Sequence, residues 1–245
     1  MMKQRTEKNK TNNTKQKNPF KDLTRFEWML WLTSMVTVTG SFLLLSSHDY
    51  LTLIASLIGV TALIFVAKGY VLGQILTVVF AVFYGIISFY FRYYGEMITY
   101  LCMTSPIAIM TAISWAKHPF QKTSEVCVNR IGKKQTAVMF TLTAVVTCIF
   151  YFMLKSLGNA SLLFSTISIA TSFLASYLTF MRVAYYALAY AANDIVLIVL
   201  WVLAAAKDIS YLPMVICFVM FFINDLYGYR SWKKMQKRQE ATSSL

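Results

Sequence analysis

Eight long apolar segments dominate the 245-residue chain and limit the folds open to it. A helix that crosses the hydrocarbon core of a bilayer needs about 20 mainly apolar residues. Charged residues make up only 13% of the chain, whereas soluble proteins carry about 25%. The sequence therefore predicts an all-α polytopic membrane protein. The expected spans are 26–45, 51–66, 70–91, 97–115, 137–153, 162–180, 185–205 and 212–229.

The basic residues give these spans an orientation, because Lys and Arg accumulate in cytoplasmic loops. With eight spans and an internal N-terminus, all but three of the 23 Lys and Arg residues lie on the cytoplasmic side. The exceptions are Arg92, Lys155 and Lys207. We therefore expect a multi-pass protein of a bacterial cytoplasmic membrane with both termini inside. The expected cytoplasmic segments are a disordered basic tail at 1–25, a basic loop at 116–136 and a second basic tail at 231–245.

An internal similarity suggests that a three-helix unit occurs twice. Tyr94, Met97, Met103 and Ser114-Trp115 recur in the same order as Tyr211, Met214, Met220 and Ser231-Trp232. A three-helix unit reverses its orientation on each pass, so a parallel repeat needs one linking helix between the copies. We predict a 3+1+3 parallel repeat, in which substrate sites lie between the copies near the midplane. Chance similarity among apolar helices is the alternative. The predicted parts are an extra helix (26–45), repeat 1 (51–115), a linker helix (137–153) and repeat 2 (162–230).

Ionisable residues inside spans are expensive and face the bundle interior, which makes Asp194 the leading candidate for a ligand-binding residue. Tyr186, Tyr190 and Trp201 share its flank of the seventh predicted helix, and Asn193 adjoins it. Asp194 and Trp201 are separated by about 10 Å along the helix axis. This span fits an aromatic base joined to a sugar. The alternative is an interfacial Trp201 and a carboxylate that only packs between helices.

Four further polar residues are candidates for contacts with a ligand. They are Gln74 and Tyr84 in the third predicted helix, and Asn224 and Tyr227 in the eighth. Asp225 lies nearer the inner interface, where a carboxylate could simply anchor the helix. The carboxylates at helix ends, Glu27 and Glu96, are expected to be solvated. Ser165, Ser168, Ser172, Ser176 and Thr179 form a small hydroxylated stripe along the sixth predicted helix, which we interpret as a packing surface.

Several functions are disfavoured by what the sequence lacks. No Lys or Arg lies deep in a predicted span, so we expect an uncharged or cationic ligand. Walker A, HExxH and GxSxG sequences are absent, which argues against ATP hydrolysis and against an enzyme. The four cysteines form no CxxC pair, so we expect neither a metal site nor a disulfide framework. No cofactor is expected. The basic residues sit in tails and loops, a pattern that does not suit nucleic acid.

Three segments resemble the PnuC-type family of nicotinamide riboside transporters. They are YGIISFYFRYYGEM (Tyr84–Met97), ANDIVLIVLW (Ala192–Trp201) and INDLYGYRSWKK (Ile223–Lys234). The resemblance implies a SWEET-like 3+1+3 fold, a homotrimer and facilitated diffusion of nicotinamide riboside for NAD synthesis. It also implies that a cytoplasmic kinase traps the imported nucleoside. Family substrate contacts map onto Asn193, Asp194, Trp201, Asn224 and Tyr227.

The chain departs from the family pattern in the fourth predicted helix. Members often carry an amide where this chain has Pro106-Ile107-Ala108, and Gly-Trp where it has Thr111 and Ala112. A same-fold transporter of another nucleoside or vitamin, such as a deoxynucleoside, thiamine or riboflavin, therefore stays open. Proton coupling through Asp194 and a membrane scaffold that transports nothing are further alternatives.

Overall fold

The computed structural model describes residues 19–45, 49–90, 94–121, 123–159 and 161–243. These residues include eight helices that are long and apolar enough to cross a membrane. The predicted all-α membrane protein with eight spans is thereby confirmed. Most of the predicted N-terminal tail, residues 1–18, lies outside the described residues.

Nine α-helices build these eight spans. They are α1 (Arg25–Leu45), α2 (Tyr50–Ala67), α3 (Val71–Tyr90), α4 (Tyr94–Ile98), α5 (Ser105–Lys117), α6 (Lys133–Ser156), α7 (Leu162–Phe180), α8 (Tyr186–Ala205) and α9 (Leu212–Ser243). A π-helical segment, Thr99–Thr104, joins α4 to α5, and the three form one span. Helices α2–α5 pack as a first unit, α7–α9 pack as a second unit, and α6 packs on α7. Helix α1 lies against α2 and α9.

The first hairpin of each unit turns with the same backbone hydrogen bonds. The amides of Lys68, Gly69 and Tyr70 donate to the carbonyls of Ile64, Val66 and Phe65, and those of Met181, Arg182 and Val183 donate to Tyr177, Thr179 and Leu178. The central residue has a positive φ in both turns, 70° at Gly69 and 59° at Arg182. Glycine adopts this conformation freely, whereas a residue with a Cβ is strained there. The two turns therefore share a geometry that their sequences do not reveal.

Two tryptophans join the units to each other. The Nε1 group of Trp115 donates to the carbonyl of Thr179 at 3.0 Å, and that of Trp232 donates to the carbonyl of Val66 at 2.8 Å. Each indole thus reaches from the last helix of one unit to the first helix of the other. The two rings are in contact, with centroids 5.3 Å apart, and both are fully buried. A buried indole N–H needs such a partner, so the repeated Ser-Trp marks the crossing between units.

The loop between α5 and α6 covers this end of the bundle, which we call the basic face. Its backbone amide at Val126 donates to the carbonyl of Gly69 at 2.9 Å, and that at Asn129 donates to the carbonyl of Arg182 at 2.8 Å. The loop therefore binds the equivalent turn of both units. The other end of the bundle is called the opposite face.

Helix α9 continues past its apolar part and packs beneath this loop. The side chain of Gln239 donates to the carbonyl of Val126 at 3.0 Å and accepts from the amide of Val128 at 2.8 Å. Met235 and Gln239 are both buried. The segment predicted as a C-terminal tail, 231–245, is thus helical as far as Ser243 because it has a protein surface to cover.

Candidate functional site

Three adjoining chambers lie between the two units. The inner chamber is lined by residues that include Gln74, Tyr100, Tyr190, Asn193, Asp194 and Asp225. The middle chamber is lined by residues that include Tyr84, Glu96, Tyr100, Ser168, Asn193 and Trp201. The outer chamber is lined by residues that include Asp49, Tyr84, Glu96, Trp201, Ser210 and Tyr211. Because neighbouring chambers share lining residues, they form one row from the bundle interior towards the opposite face.

Two carboxyl groups meet in the inner chamber. Asp194 on α8 and Asp225 on α9 are each only 4% exposed, and both line this chamber. The Oδ2 atom of Asp194 is buried and has no hydrogen-bond partner among the described residues. The sequence indicated Asp194 but left Asp225 as a helix anchor. The packing of α9 on α8, which the sequence does not show, brings both residues to the same chamber.

An amide is fixed between the inner and middle chambers. The hydroxyls of Ser168 and Thr171 donate to Oδ1 of Asn193 at 3.1 and 2.9 Å. Because the oxygen accepts both bonds, the NH₂ group is the part of this amide that can donate to a ligand. The hydroxylated stripe of α7, interpreted from the sequence as packing, also lines the middle chamber through Ser165 and Ser172. The stripe therefore supplies polar surface as well as packing.

Aromatic rings surround the middle chamber. Trp201 lines it and packs against Tyr211 with ring centroids 5.8 Å apart. Tyr84 faces Tyr100 at 4.5 Å. Tyr100 lies in the π-helical segment, where the amide of Ser105 donates to its carbonyl just before Pro106. Such π turns often occur at functional sites, and this one gives the span a ring at the junction of two chambers.

Glu96 lies deeper than the sequence indicated. We expected a solvated residue at a helix end, but the side chain lines both the middle and outer chambers. Its Oε2 atom is buried and has no hydrogen-bond partner in the part of the chain that the structure describes. That expectation was wrong because the middle and outer chambers reach α4, in which Glu96 lies. Only the membership of Glu96 in the segment that resembles a family could have indicated it.

The structure brings six of the eight predicted ligand contacts to the chambers and places two elsewhere. Gln74, Tyr84, Tyr190, Asn193, Asp194 and Trp201 line the chambers. The amide nitrogen of Asn224 instead donates to Ser34 on α1 at 3.0 Å. The hydroxyl of Tyr227 donates to Glu27 on α1 at 2.8 Å. Ligand binding by Asn224 and Tyr227 stays a prediction.

A second polar cluster ties α1 to the basic face. Glu27 is 3% exposed and pairs with Lys68 at 3.2 Å, so the expectation that it is solvated was wrong. Its carboxylate also accepts the amide of Thr24 in a capping box. Nearby, burial and the carboxylate of Asp22 raise the pKa of Tyr70 above its usual value. This cluster is separate from the chambers and stabilises the position of α1.

The chambers have a definite electrostatic character. None of the described residues that line them is Lys or Arg. Among the described residues there is also no group of three or more His, Cys, Asp or Glu side chains that could hold a metal ion. Carboxylates and aromatic faces without a counter-cation suit a cationic organic ligand.

Comparison with known proteins gives one consistent result. The family model described as "Nicotinamide mononucleotide transporter" matches residues 49–234. A "Nicotinamide riboside transporter PnuC" from Neisseria mucosa is 26% identical over 220 residues, which are 88% of this chain and 83% of that protein. A protein of the same name from Haemophilus influenzae is 22% identical over 213 residues, which are 86% of this chain and 91% of that protein.

A solved structure has the same fold. It is described as the crystal structure of the vitamin B3 transporter PnuC, and its similarity covers 89% of this chain and 94% of that chain. The TM-score is 0.75 and the sequence identity is 25%. These findings confirm the resemblance seen in the three sequence segments. Since the family model spans both units and the linker between them, the chain belongs to the nicotinamide mononucleotide transporter family and is a multi-pass membrane transporter, not an enzyme.

Proposed function

We propose that this protein carries nicotinamide riboside across a bacterial cytoplasmic membrane by facilitated diffusion and so feeds NAD synthesis. The observation that carries the proposal is the character of the chambers, which combine carboxyls, an amide and aromatic rings with no lining Lys or Arg among the described residues. A pyridinium ring suits this surface, whereas the phosphate of a mononucleotide would find no cation to pair with. The names of both relatives support the riboside as cargo.

Each part of the ligand has a partner of matching chemistry. In the middle chamber, Trp201 stacks on the pyridine ring and the amide of Asn193 donates to ribose oxygens. Asp194, deeper in the inner chamber, supplies the negative charge that attracts the ring. Gln74, Tyr84 and Tyr190 complete the polar and aromatic walls. A ligand that enters from the opposite face would meet Trp201 and Asn193 in the middle chamber first and Asp194 in the inner chamber afterwards.

Transport requires the chambers to open alternately to the two faces. In this structure the row of chambers extends towards the opposite face, while the tryptophan pair and the loop cover the basic face. We infer that the two units rock against each other around the chambers. The carrier without ligand must already populate the two conformations that are open to either face. A ligand shifts the equilibrium between them only as far as it binds one conformation more tightly than the other.

The orientation and the partners are part of the same proposal. Lys68, Arg182, the loop after α5 and the end of α9 meet at the basic face. The positive-inside rule then places that face, with both termini, in the cytoplasm. The family resemblance suggests a homotrimer and capture of the imported nucleoside by a cytoplasmic kinase.

The decisive experiment is entry of radiolabelled nicotinamide riboside into liposomes that contain the purified protein, without ATP or an ion gradient. We expect saturable entry that is lost in Asp194→Asn and in Trp201→Ala and is kept in the surface control Glu240→Gln. Absence of entry in folded protein would contradict the proposal and would lead to the same assay with thiamine, riboflavin and deoxynucleosides. Variants that leave the cellular role intact while abolishing entry would support a scaffold.

A further inference from the structure

One acceptor atom of the middle chamber has no partner within the protein. Glu96 lines both the middle and the outer chamber, and so do Tyr84 and Trp201. The Oε2 atom of Glu96 is buried and has no hydrogen-bond partner among the described residues. Buried polar atoms normally have a partner. A ligand that occupies the junction of the two chambers would supply the missing donor.

The segment that carries Glu96 packs closely on α3. Glu96 lies in α4, and the π-helical segment that follows approaches α3 at Gly85. A Cβ atom at Gly85 would lie 2.6 Å from the side chain of Leu101, so glycine is what allows this close approach. Tyr84, the neighbour of Gly85, faces Tyr100 with ring centroids 4.5 Å apart. The start of the span is thereby held against α3, together with the carboxyl group that it carries.

The other polar groups of the middle chamber include donors that need a complementary acceptor. The Oδ1 atom of Asn193 already accepts from Ser168 and Thr171, so this amide offers its N–H donors to a ligand. The indole of Trp201 is also a donor only. Among the described residues that line the middle chamber, Glu96 has the single carboxyl group. The chamber thus combines amide donors with one carboxyl acceptor.

A ribose needs both kinds of group at once. Each sugar hydroxyl accepts a hydrogen bond through its oxygen and donates one through its proton. A hydroxyl that is buried without an acceptor for its proton weakens binding. Dinucleotide-binding folds solve this problem with an Asp or Glu that accepts from the ribose 2′-hydroxyl. An amide donor and a carboxyl acceptor in one chamber therefore suit the 2′,3′-diol of a ribose better than either group alone.

We propose that Glu96 binds the ribose of the cargo and makes the carrier selective for ribosides over deoxyribosides. Its Oε2 atom accepts a hydrogen bond from the 2′,3′-diol, while Asn193 donates to the sugar oxygens and Trp201 stacks on the ring. A carboxyl group has an acceptor oxygen whether or not it is ionised, so this role needs no change of protonation during transport. The inference rests on the proposed function and names a residue that determines its specificity.

The test compares binding of nicotinamide riboside with binding of its 2′-deoxy and 3′-deoxy analogues, by calorimetry on the purified protein in detergent. Wild-type protein should bind at least one analogue about tenfold more weakly than the riboside, because that analogue leaves the carboxyl oxygen without a partner. Glu96→Leu should bind the riboside about tenfold more weakly and should lose the preference over that analogue. The surface variant Glu240→Gln should keep both the affinity and the preference.

The variant Glu96→Gln separates hydrogen bonding from charge. Glutamine keeps a carbonyl oxygen that accepts, so this variant should retain part of the preference for the riboside. If Glu96 only attracted the cationic ring, Glu96→Gln and Glu96→Leu would weaken binding of all three ligands equally, and the preference would persist in both variants. That result would overturn the inference and leave the proposed function intact.

Thermal unfolding without ligand distinguishes a role in binding from a role in folding. Glu96→Leu should unfold at or above the wild-type temperature, because it removes a buried oxygen that has no partner. A lower unfolding temperature with an unchanged ligand preference would overturn the inference, since Glu96 would then support the fold alone. Folded wild-type protein that neither binds nicotinamide riboside nor carries it into proteoliposomes would overturn the proposed function and this inference with it.

Discussion

The two three-helix units share a framework but differ in the chemistry that they carry. The turns after α2 and α7 have the same hydrogen bonds, and each unit ends in a tryptophan that bonds to the other unit. Aligned on these features, Ala81 stands where Asp194 stands, Ser88 where Trp201 stands, and Ala108 where Asp225 stands. The carboxyl pair and the chamber tryptophan thus belong to the second unit alone. The first unit lines the chambers with other groups, which include Gln74, Tyr84 and Tyr100.

The largest effect is expected from substitution of the two buried tryptophans. These substitutions test whether the two units share the same framework. Trp115→Ala and Trp232→Ala each remove a fully buried ring and its hydrogen bond. A loss of about 3–5 kcal/mol in the free energy of unfolding is expected for each. Thermal unfolding in detergent micelles measures both, with Trp28→Ala, whose side chain is 36% exposed, as the matched control. A large loss in only one of the two would break the equivalence of the units.

The next largest effect is expected from two asparagines of the second unit. One is predicted to bind the ligand, whereas the other stabilises the packing of α1. Asn193 lies in the chambers, whereas Asn224 bonds to Ser34 on α1. We expect Asn193→Ala to raise KM for riboside entry about tenfold, which corresponds to about 1.4 kcal/mol. Asn224→Ala should lower the unfolding temperature and leave KM nearly unchanged.

The same pair of variants tests the prediction made from the sequence for Asn224. A rise in KM for Asn224→Ala as large as that for Asn193→Ala, without loss of stability, would favour a direct contact with ribose. Serine at position 34 offers a further control, because Ser34→Ala removes the partner of Asn224 without touching the chambers. It should reproduce the stability loss of Asn224→Ala.

The framework was easier to predict from the sequence than the site was. Helix number follows from apolar length, and Ser-Trp marked the ends of both units, because burial of an indole constrains the sequence directly. Asp194 was predicted because a carboxylate in the middle of a span is too costly to face lipid and must point into the bundle. Asp225, Glu96 and Glu27 were missed, since each lies near the end of a span predicted from the sequence and only the packing of neighbouring helices decides whether that end is buried. No sequence pattern reports such packing.

A smaller effect should distinguish the two turns. Gly69 and Arg182 have the same left-handed conformation, in which a Cβ is strained. Gly69→Ala should lower the free energy of unfolding by about 1 kcal/mol, because the new Cβ also comes within 3.1 Å of Met235. Arg182→Gly should leave stability within about 0.5 kcal/mol of wild type, since relief of strain offsets the greater freedom of the unfolded chain. A large loss in Arg182→Gly, seen by thermal unfolding, would show that the arginine side chain itself stabilises the turn.

The last comparison concerns how the loop after α5 is held against α9. Neighbouring residues there differ in burial: Gln239 is buried and bonds to the loop backbone at Val126 and Val128, whereas Glu240 pairs with Arg130 at the surface. Exposed ion pairs contribute little, so Glu240→Gln should change the free energy of unfolding by less than about 0.5 kcal/mol. Gln239→Ala leaves two backbone groups without partners and should lose about 1–3 kcal/mol. A Gln239→Ala protein that keeps its stability would show that the contact between this loop and α9 does not help to stabilise the basic face.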